Sequence, residues 1–467
     1  MSDVSERLAA LLDSNRVLTG EQISADYTHD EALGAEPAKP DVVVLPRDTA
    51  EVARVVALAA ELGVPVTARG SGSGMSGASI PRKGGILISF GQMNAIVDID
   101  TDNHVAVVQP GITLAELDQA TAAHGLVYPV FPGELHASLG GNVGTNAGGM
   151  RAVKYGVTRH HVLGVEAVLG TGEVIRSGGK FVKTSTGYDL TQLIVGSEGS
   201  LAIVTEVILK LQPRLSHTAT VLVPFTTLDD VTAAIPRIVQ SGLAPMLLEY
   251  IDLVSMSAIV TNAGIDLGIP QQVKDSALAY LVVVLESRVQ QRLDEDLEEL
   301  GEMLGELHAI DVYVLDGRAG EQLIDAREKA FFAAKAAGAD DIIDMVVPRA
   351  QLPSYLSSVS QLAERTGSLV FGCGHAGDGN VHLSIFQPDE KQRYDVLHGI
   401  FAAGMQLGGA ISGEHGIGTE KMRHVLELED PAKLALMRRI KAAFDPAGIL
   451  NPGLIYDIEP PTPGGTA

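Results

Sequence analysis

The chain has 467 residues and a formal charge of 34 − 58 = −24, with 46% hydrophobic residues and 51 glycines. That length implies two or three domains, and the composition fits a large globular α/β protein rather than a disordered or fibrous one. So acidic a balance argues against binding a nucleic-acid backbone and against docking through a polybasic patch on anionic lipid.

The lone cysteine, Cys373, allows no intramolecular disulfide, which fits a reducing compartment. MSDVSERLAALLDSNRV does not read as a secretory signal. The longest apolar stretch, 277–285, is about half of the roughly 20 residues a membrane helix needs. A cytoplasmic protein without a transmembrane segment is expected.

In chain order, residues 1–39 read as a helical lead-in. DVVVLP is a strand, and Asp48 with Glu51 offers a capping box for a helix whose Val52, Val55, Val56 and Leu62 recur at helical spacing. Gly63 stops that helix and VPVTA opens a strand, so a βαβ unit is expected. ILISF, AIVDI and HVAVVQP follow as strands, then a helix with a second capping box at Thr113 and Glu116. VLGVEAVLG, EVIRSG and GSEGSLAIVTEVILKLQP close a first unit at 213.

From 214 to 410 two βαβ-like halves suggest a ferredoxin-like antiparallel sheet with helices on one face. The first half holds TATVLVPF, a helix over 227–241 and PMLLEYI. The second runs from DMVVP through PSYLSSVSQLAERTG to SLVFGCG and NVHLSIF. DEDLEELGEMLGEL reads as a solvated helix face. A segment over 411–457 follows, and 458–467 reads as a flexible tail.

Two glycine-dense loops stand out. The first, over 69–79, sets Gly70, Gly72, Gly74 and Gly77 among serines directly after a strand. Such glycines let main-chain N–H groups converge on an anion such as a dinucleotide pyrophosphate. Alone it is no more than a common surface turn, and it does not sit on the strand–GxGxxG–helix template of a Rossmann site. The second, FPGELHASLGGNVGTNAGG over 131–149, makes an extended dinucleotide the better reading.

A third cluster lies in GCGHAGDGNVHLSIF and ISGEHGIGTEK. If NVHLSIF is a strand, His382, Ser384 and Phe386 share one face and Val381, Leu383 and Ile385 the other. A glycine-rich turn can fold His375 back beside His382. With Glu414 they make two histidines and a carboxylate, a three-ligand set that leaves metal positions open for substrate. Glu414 and His415 diverge in a turn, so one can ligate while the other faces substrate. His375 alone is more commonly an ordinary turn residue; the constellation is not.

PDVVVLPRDTAEVARVVALAAELGVPVTARGSGSGMSGAS, FPGELHASLGGNVGTNAGG and GSEGSLAIVTEVILKLQP together resemble the FAD-binding domain of the vanillyl-alcohol oxidase/PCMH superfamily. The likeness runs over about 25–457 and is strongest to its branch of D-lactate dehydrogenases, glycolate oxidase subunits and D-2-hydroxyglutarate dehydrogenases. It implies an α+β fold: a PCMH-type FAD-binding domain over 40–213, an antiparallel-sheet cap domain over 214–410, and a C-terminal helical segment over 411–457 that returns a catalytic histidine to the flavin. It implies noncovalent FAD, since the first loop has no histidine where some relatives attach the cofactor. Arg69, Gly70, Ser71, Gly72, Ser73, Gly74, Met75 and Ser76 would form the pyrophosphate loop. Pro132, Gly133, Gly141, Thr145 and Gly148 would lie along the flavin, with Gly199, Ile203 and Asn451 approaching it from later strands and the C-terminal segment.

By the same resemblance His375, His382 and Glu414 bind a divalent metal (Zn2+ or Mn2+), and His415 is the general base that takes the hydroxyl proton of a D-2-hydroxy acid. Arg327 would grip its carboxylate and Ser384 line its pocket, the main alternative for Arg327 being a helix-surface ion pair. Phe331 and Ile342 depart from the polar positions that hold the second carboxylate in 2-hydroxyglutarate enzymes. The expected substrate is therefore a monocarboxylic or more apolar 2-hydroxy acid (D-lactate, glycolate or a related acid), unless Lys335 or Arg349 compensates. The electron acceptor (an electron-transfer protein, quinone or oxygen) is open, and a homodimer is a family-level expectation. The rival readings are a noncatalytic FAD-binding subunit of a hydroxy-acid oxidising complex, a D-2-hydroxyglutarate dehydrogenase, or an oxidase of another alcohol. Asp378 and Asn380 are expected to shape the turn, Cys373 to be a small buried residue, and His160 and His161 to be structural.

Overall fold

The computed structural model describes residues 2–454, 456 and 457; the tail expected over 458–467 lies outside the described residues. Three main sheets organise the chain. In the first, Val42–Val44, Ile86–Ser89 and Val66–Arg69 run parallel. The helix Thr49–Leu62 between the first and last of these buries Val52, Val55 and Val56. The expected βαβ unit is therefore present, but Ile86–Ser89 slots between its two strands. The 1–39 lead-in is also not purely helical, because Val17–Thr19 adds an antiparallel edge strand beside Val42–Val44. Of the two expected capping boxes, the one at Thr113 and Glu116 is reciprocal. At Asp48 only half forms: Asp48 accepts from the Glu51 N–H at 2.8 Å, while the Glu51 carboxylate pairs with Arg16.

The second sheet is a five-stranded antiparallel meander-like array centred on Val105–Val108, Ala202–Lys210 and Val162–Leu169. The third has seven strands, all antiparallel, built around His217–Phe225, Ala279–Ser287, Leu247–Asp252, Leu369–His375 and Asn380–Phe386. Its helices cover both faces rather than one. Leu281 and Val283 pack into a core shared with the helices Leu228–Gln240 and Leu352–Thr366, whereas Tyr280 and Val282 pack toward Leu253–Ala263 and Gly317–Glu328. The sequence carries the reason: Ala279–Leu285 is an unbroken apolar run, the pattern of a strand buried on both sides. No helix among the described residues is long and apolar enough to cross a membrane.

Candidate active site

The first glycine loop leaves the end of Val66–Arg69 and borders a cleft of about 1250 Å³. Every residue from Arg69 to Ser76 lines it, together with Pro132, Gly141, Thr145, Gly199 and Ile203. The two glycine loops are cross-tied: Ser71 N–H donates to Ser138 Oγ and Ser138 N–H to Ser71 Oγ, both at 3.1 Å. The Arg69 side chain is turned under the loop, donating to the His29 carbonyl at 2.6 Å. A Cβ on Gly72 would meet its guanidinium at 2.0 Å, and Gly72 also has φ +78°. Arg69 thus braces the loop, leaving the main chain and the serines to meet a ligand. A long cleft edged by glycines and hydroxyls fits a dinucleotide.

Three further residues expected at the cofactor adjoin this cleft without lining it. Gly133 lines the neighbouring cavity instead. Gly148 packs against Glu414, whose Oε2 lies 2.8 Å from where its Cβ would be. Asn451 spends its side-chain amide on the carbonyls of Ala78 (2.8 Å) and Glu198 (2.7 Å), tying the glycine loop to the GSEG turn from outside the cleft.

The neighbouring cavity, about 1040 Å³, lies on the face of the third sheet that carries His382 and Ser384. Val381, Leu383 and Ile385 point into the opposite core, as period two requires. Arg327, Ser384, His375, His382, Glu414 and His415 all line this cavity, and Glu414 and His415 line the first cleft as well. His375 Nε2 is 3.1 Å from His382 Nε2, and both nitrogens are 3.2 Å from Glu414 Oε1. Ligands about 2.1 Å from one ion stand about 3.0–3.4 Å apart at right-angle to tetrahedral geometry. The triangle therefore fits a divalent metal.

Two wholly buried carboxylates hold this arrangement. Glu249 lies opposite His375 in the strand register. Its Oε1 accepts from His375 Nδ1 at 2.7 Å, which turns the Nε2 lone pair toward Glu414. Its Oε2 faces Arg327 Nη2 at 2.9 Å. Arg327, at the end of Gly317–Glu328, is only 6% exposed; its Nη2 is taken by this ion pair, while its Nε has no hydrogen-bond partner among the described residues. Buried donors left without an acceptor are costly, so this guanidinium is set for an anion. Asp344 is the second carboxylate. Its Oδ2 accepts from the N–H groups of Gly413 (2.7 Å), Glu414 (2.7 Å) and His415 (3.1 Å). Its Oδ1 takes Lys421 Nζ at 2.6 Å and faces His415 Nδ1 at 3.4 Å. Glu198 completes the turn by accepting from the N–H groups of Ile417 (2.5 Å) and Gly418 (2.9 Å).

Titration follows these contacts. Burial opposes charge on His375, but the Glu249 and Glu414 carboxylates outweigh it and raise the imidazole to about 10. Burial likewise opposes charge on Glu414, and His375 holds it well below the usual range. Burial lowers His415 to about 4 despite the attraction of Asp344. Asp344, with His415 and Lys421 outweighing its burial, stays well below an ordinary carboxylate.

Asp378 and Asn380 do shape the turn: Asp378 N–H closes on the His375 carbonyl at 3.0 Å and the Asn380 amide donates to Met345 O at 3.3 Å. Cys373 is buried in the cavity wall, its thiol pushed up to about 11 by burial. His160 and His161 hydrogen-bond to Val157 N–H and the Tyr155 carbonyl, away from the metal triangle. Glu249, Asp344, Lys421 and Glu198 were not singled out by sequence reasoning. The signal for two of them was there: LLEYID and DIIDMVV each set an acid between apolar residues inside a strand, with a second acid at the strand end.

Comparison with known proteins identifies the family. Residues 40–178 match the FAD binding domain family and residues 214–455 the C-terminal domain of FAD linked oxidases. An uncharacterized FAD-linked oxidoreductase of Mycobacterium tuberculosis is 58% identical over 98% of this chain and 99% of its own length. A D-lactate dehydrogenase of Anaerostipes hadrus is 38% identical over 94% of each chain. The solved structure of p-cresol methylhydroxylase shares the fold, with a TM-score of 0.81 at 17% identity over 98% of this chain and 96% of that one. The chain belongs to the FAD-linked oxidases and is an FAD-dependent oxidoreductase of PCMH-type fold.

Proposed function

We propose that the protein oxidises a 2-hydroxy acid to the 2-oxo acid, with FAD in the first cleft and a divalent ion held by His375, His382 and Glu414. The observation that carries this reading is that His415 and Glu414 line both cavities, so a hydroxyl beside them faces the cofactor cleft. Bound FAD supplies the two-electron oxidant, and the ion supplies charge that stabilises the developing negative oxygen. Arg327, held by Glu249 with its Nε free, pairs with the substrate carboxylate, Ser384 lines the pocket, and His415 takes the hydroxyl proton. Asp344 and Lys421 keep His415 in place. Residues 40–213 then serve the cofactor, 214–410 the substrate, and 411–457 return the base between them. Preference for the D enantiomer and a monocarboxylic substrate accompanies the reading, as does the named activity of the Anaerostipes hadrus relative.

The test is an anaerobic titration of the flavin-loaded protein with D- and L-lactate, glycolate and D-2-hydroxyglutarate. Bleaching of the oxidised flavin band by one of the acids, abolished by chelation and restored by Zn2+ or Mn2+, is expected. A demonstrably FAD-bound, metal-supplied protein that no 2-hydroxy acid bleaches refutes it and favours the noncatalytic-subunit reading.

A further inference from the structure

Resting on the 2-hydroxy-acid reading above, we propose that the true substrate carries a long or bulky apolar side chain and no second charge. The polar groups of the second cavity gather at one end, around Arg327 and the metal triangle, where the hydroxyl-bearing carbon must sit beside His415. Apart from Ser255, Asn262 and Glu328, the remaining wall is apolar. The helix Leu253–Ala263 turns Val254, Ala258 and Ile259 toward it at helical spacing, and Ala330, Phe331 and Ala334 face it from Ala330–Ala336. Ile342 and Phe371 close the sheet side. Alanine at 258, 330 and 334 leaves open space that a larger side chain would fill. Val254, Ala258, Asn262 and Ala337 line the cavity and are also exposed, so it is open to solvent on this side.

A second carboxylate has nothing to pair with there. Arg327 is the only lysine or arginine in the lining, and its task is the first carboxylate. Lys335 is turned away to Glu31 at 2.7 Å, and Arg349 is exposed outside the cavity. The additional charged residue in the wall, Glu328, is itself acidic, and a dianion would be buried beside it unpaired. Lactate and glycolate, with a methyl group and a hydrogen in place of a tail, leave this apolar lining uncontacted.

The experiment measures anaerobic flavin reduction in the holoenzyme across 2-hydroxy acids: glycolate, lactate, 2-hydroxybutanoate, 2-hydroxyhexanoate, 2-hydroxyoctanoate, phenyllactate and 2-hydroxyglutarate. The ratio of reduction rate to dissociation constant is expected to rise about fourfold per methylene beyond lactate, with 2-hydroxyglutarate no better than lactate. A series that peaks at lactate, glycolate or 2-hydroxyglutarate overturns the proposal while leaving hydroxy-acid oxidation intact. No reduction by any member sinks the hydroxy-acid reading itself. Calorimetry with unreactive acids gives a readout independent of turnover: octanoate should bind the holoenzyme more tightly than acetate, and equal affinities overturn the proposal. Ala258→Phe should lower the 2-hydroxyoctanoate-to-lactate ratio by at least about tenfold, and an unchanged ratio counts against the assigned wall.

Discussion

Glu249→Gln separates an organised metal site from an accidental cluster. The side chain is wholly buried and joins two groups that the sequence sets far apart, His375 Nδ1 at 2.7 Å and Arg327 Nη2 at 2.9 Å. Glutamine keeps the volume and one acceptor oxygen, so the His375 N–H can stay satisfied while the negative charge is lost. Two effects follow. Loss of an anionic partner behind a histidine ligand weakens metal binding by about 10- to 100-fold, or about 1.4–2.7 kcal/mol. The Arg327 cation, 6% exposed, loses its counterion, and a buried charge stripped of its partner costs about 3–5 kcal/mol, with glutamine at or below the low end. Chelator-buffered titration of the FAD-loaded, metal-free variant with Zn2+ or Mn2+ reads the first effect, and urea unfolding reads the second. KM should rise more than kcat falls, because Arg327 and the ion hold substrate while His415 is anchored separately by Asp344. Metal affinity within about threefold of wild type, with KM unchanged, would show that Glu249 does not tune the site.

His415→Ala should cut substrate-driven flavin reduction by at least about 10²-fold while FAD content stays at the wild-type level; retained turnover measured by stopped flow would remove His415 as the base. Asp344→Asn keeps the shape but loses the charge that meets Lys421 and three N–H groups of the Gly413–His415 turn, so the unfolding midpoint should fall and flavin reduction slow together. A normal rate in a destabilised variant would make Asp344 purely structural. Gly418 has φ +50° and a Cβ there would lie 2.0 Å from the Ser76 carbonyl, so Gly418→Ala should push the catalytic turn off the first glycine loop. The check is the flavin-to-protein absorbance ratio after gel filtration, and an unchanged ratio contradicts the contact. Glu51 is held below the ordinary carboxylate range by Arg16, so its contribution is fully present above about pH 4.3 and is lost as pH falls through the depressed value. Glu51→Gln should therefore lower stability at neutral pH and flatten its fall in acid, as thermal unfolding across pH 3–7 will report.

What the sequence disclosed was local. Period two in NVHLSIF assigned His382 and Ser384 to the face opposite Val381, Leu383 and Ile385, and that face is the cavity wall. The Thr113–Glu116 box and the cap at Asp48 were readable because capping depends on residues three apart. What escaped was long-range pairing. Nothing in PDVVVLP or VPVTA says that Ile86–Ser89 will pass between them, since strand order is decided by tertiary contacts. The pairing of Glu249 with His375, 126 residues apart, is likewise invisible until Leu247–Asp252 and Leu369–His375 lie side by side. Asn451 shows what resemblance could not supply: its amide ties two carbonyls, of Ala78 and Glu198, at the edge of the cleft.

The acids set between apolar residues in the interior of two strands were the available clue to what the local reading missed. A carboxylate at a fully buried strand position is expensive unless charge and N–H donors meet it, so Glu249 in LLEYID and Asp344 in DIIDMVV each imply partners elsewhere in the chain. The chain has few kinds of group able to answer them: lysine, arginine, histidine and free main-chain N–H groups in turns. Glu249 draws His375 and Arg327, and Asp344 draws Lys421, His415 and the N–H groups of the GEHG turn. Glu249 therefore fixes one proposed metal ligand, His375, together with the proposed substrate cation Arg327, and Asp344 fixes the proposed base together with the backbone of a second proposed ligand, Glu414. Because the two acids lie on different strands of one sheet, sheet geometry sets the spacing between the proposed metal ligands, the proposed carboxylate clamp and the proposed base.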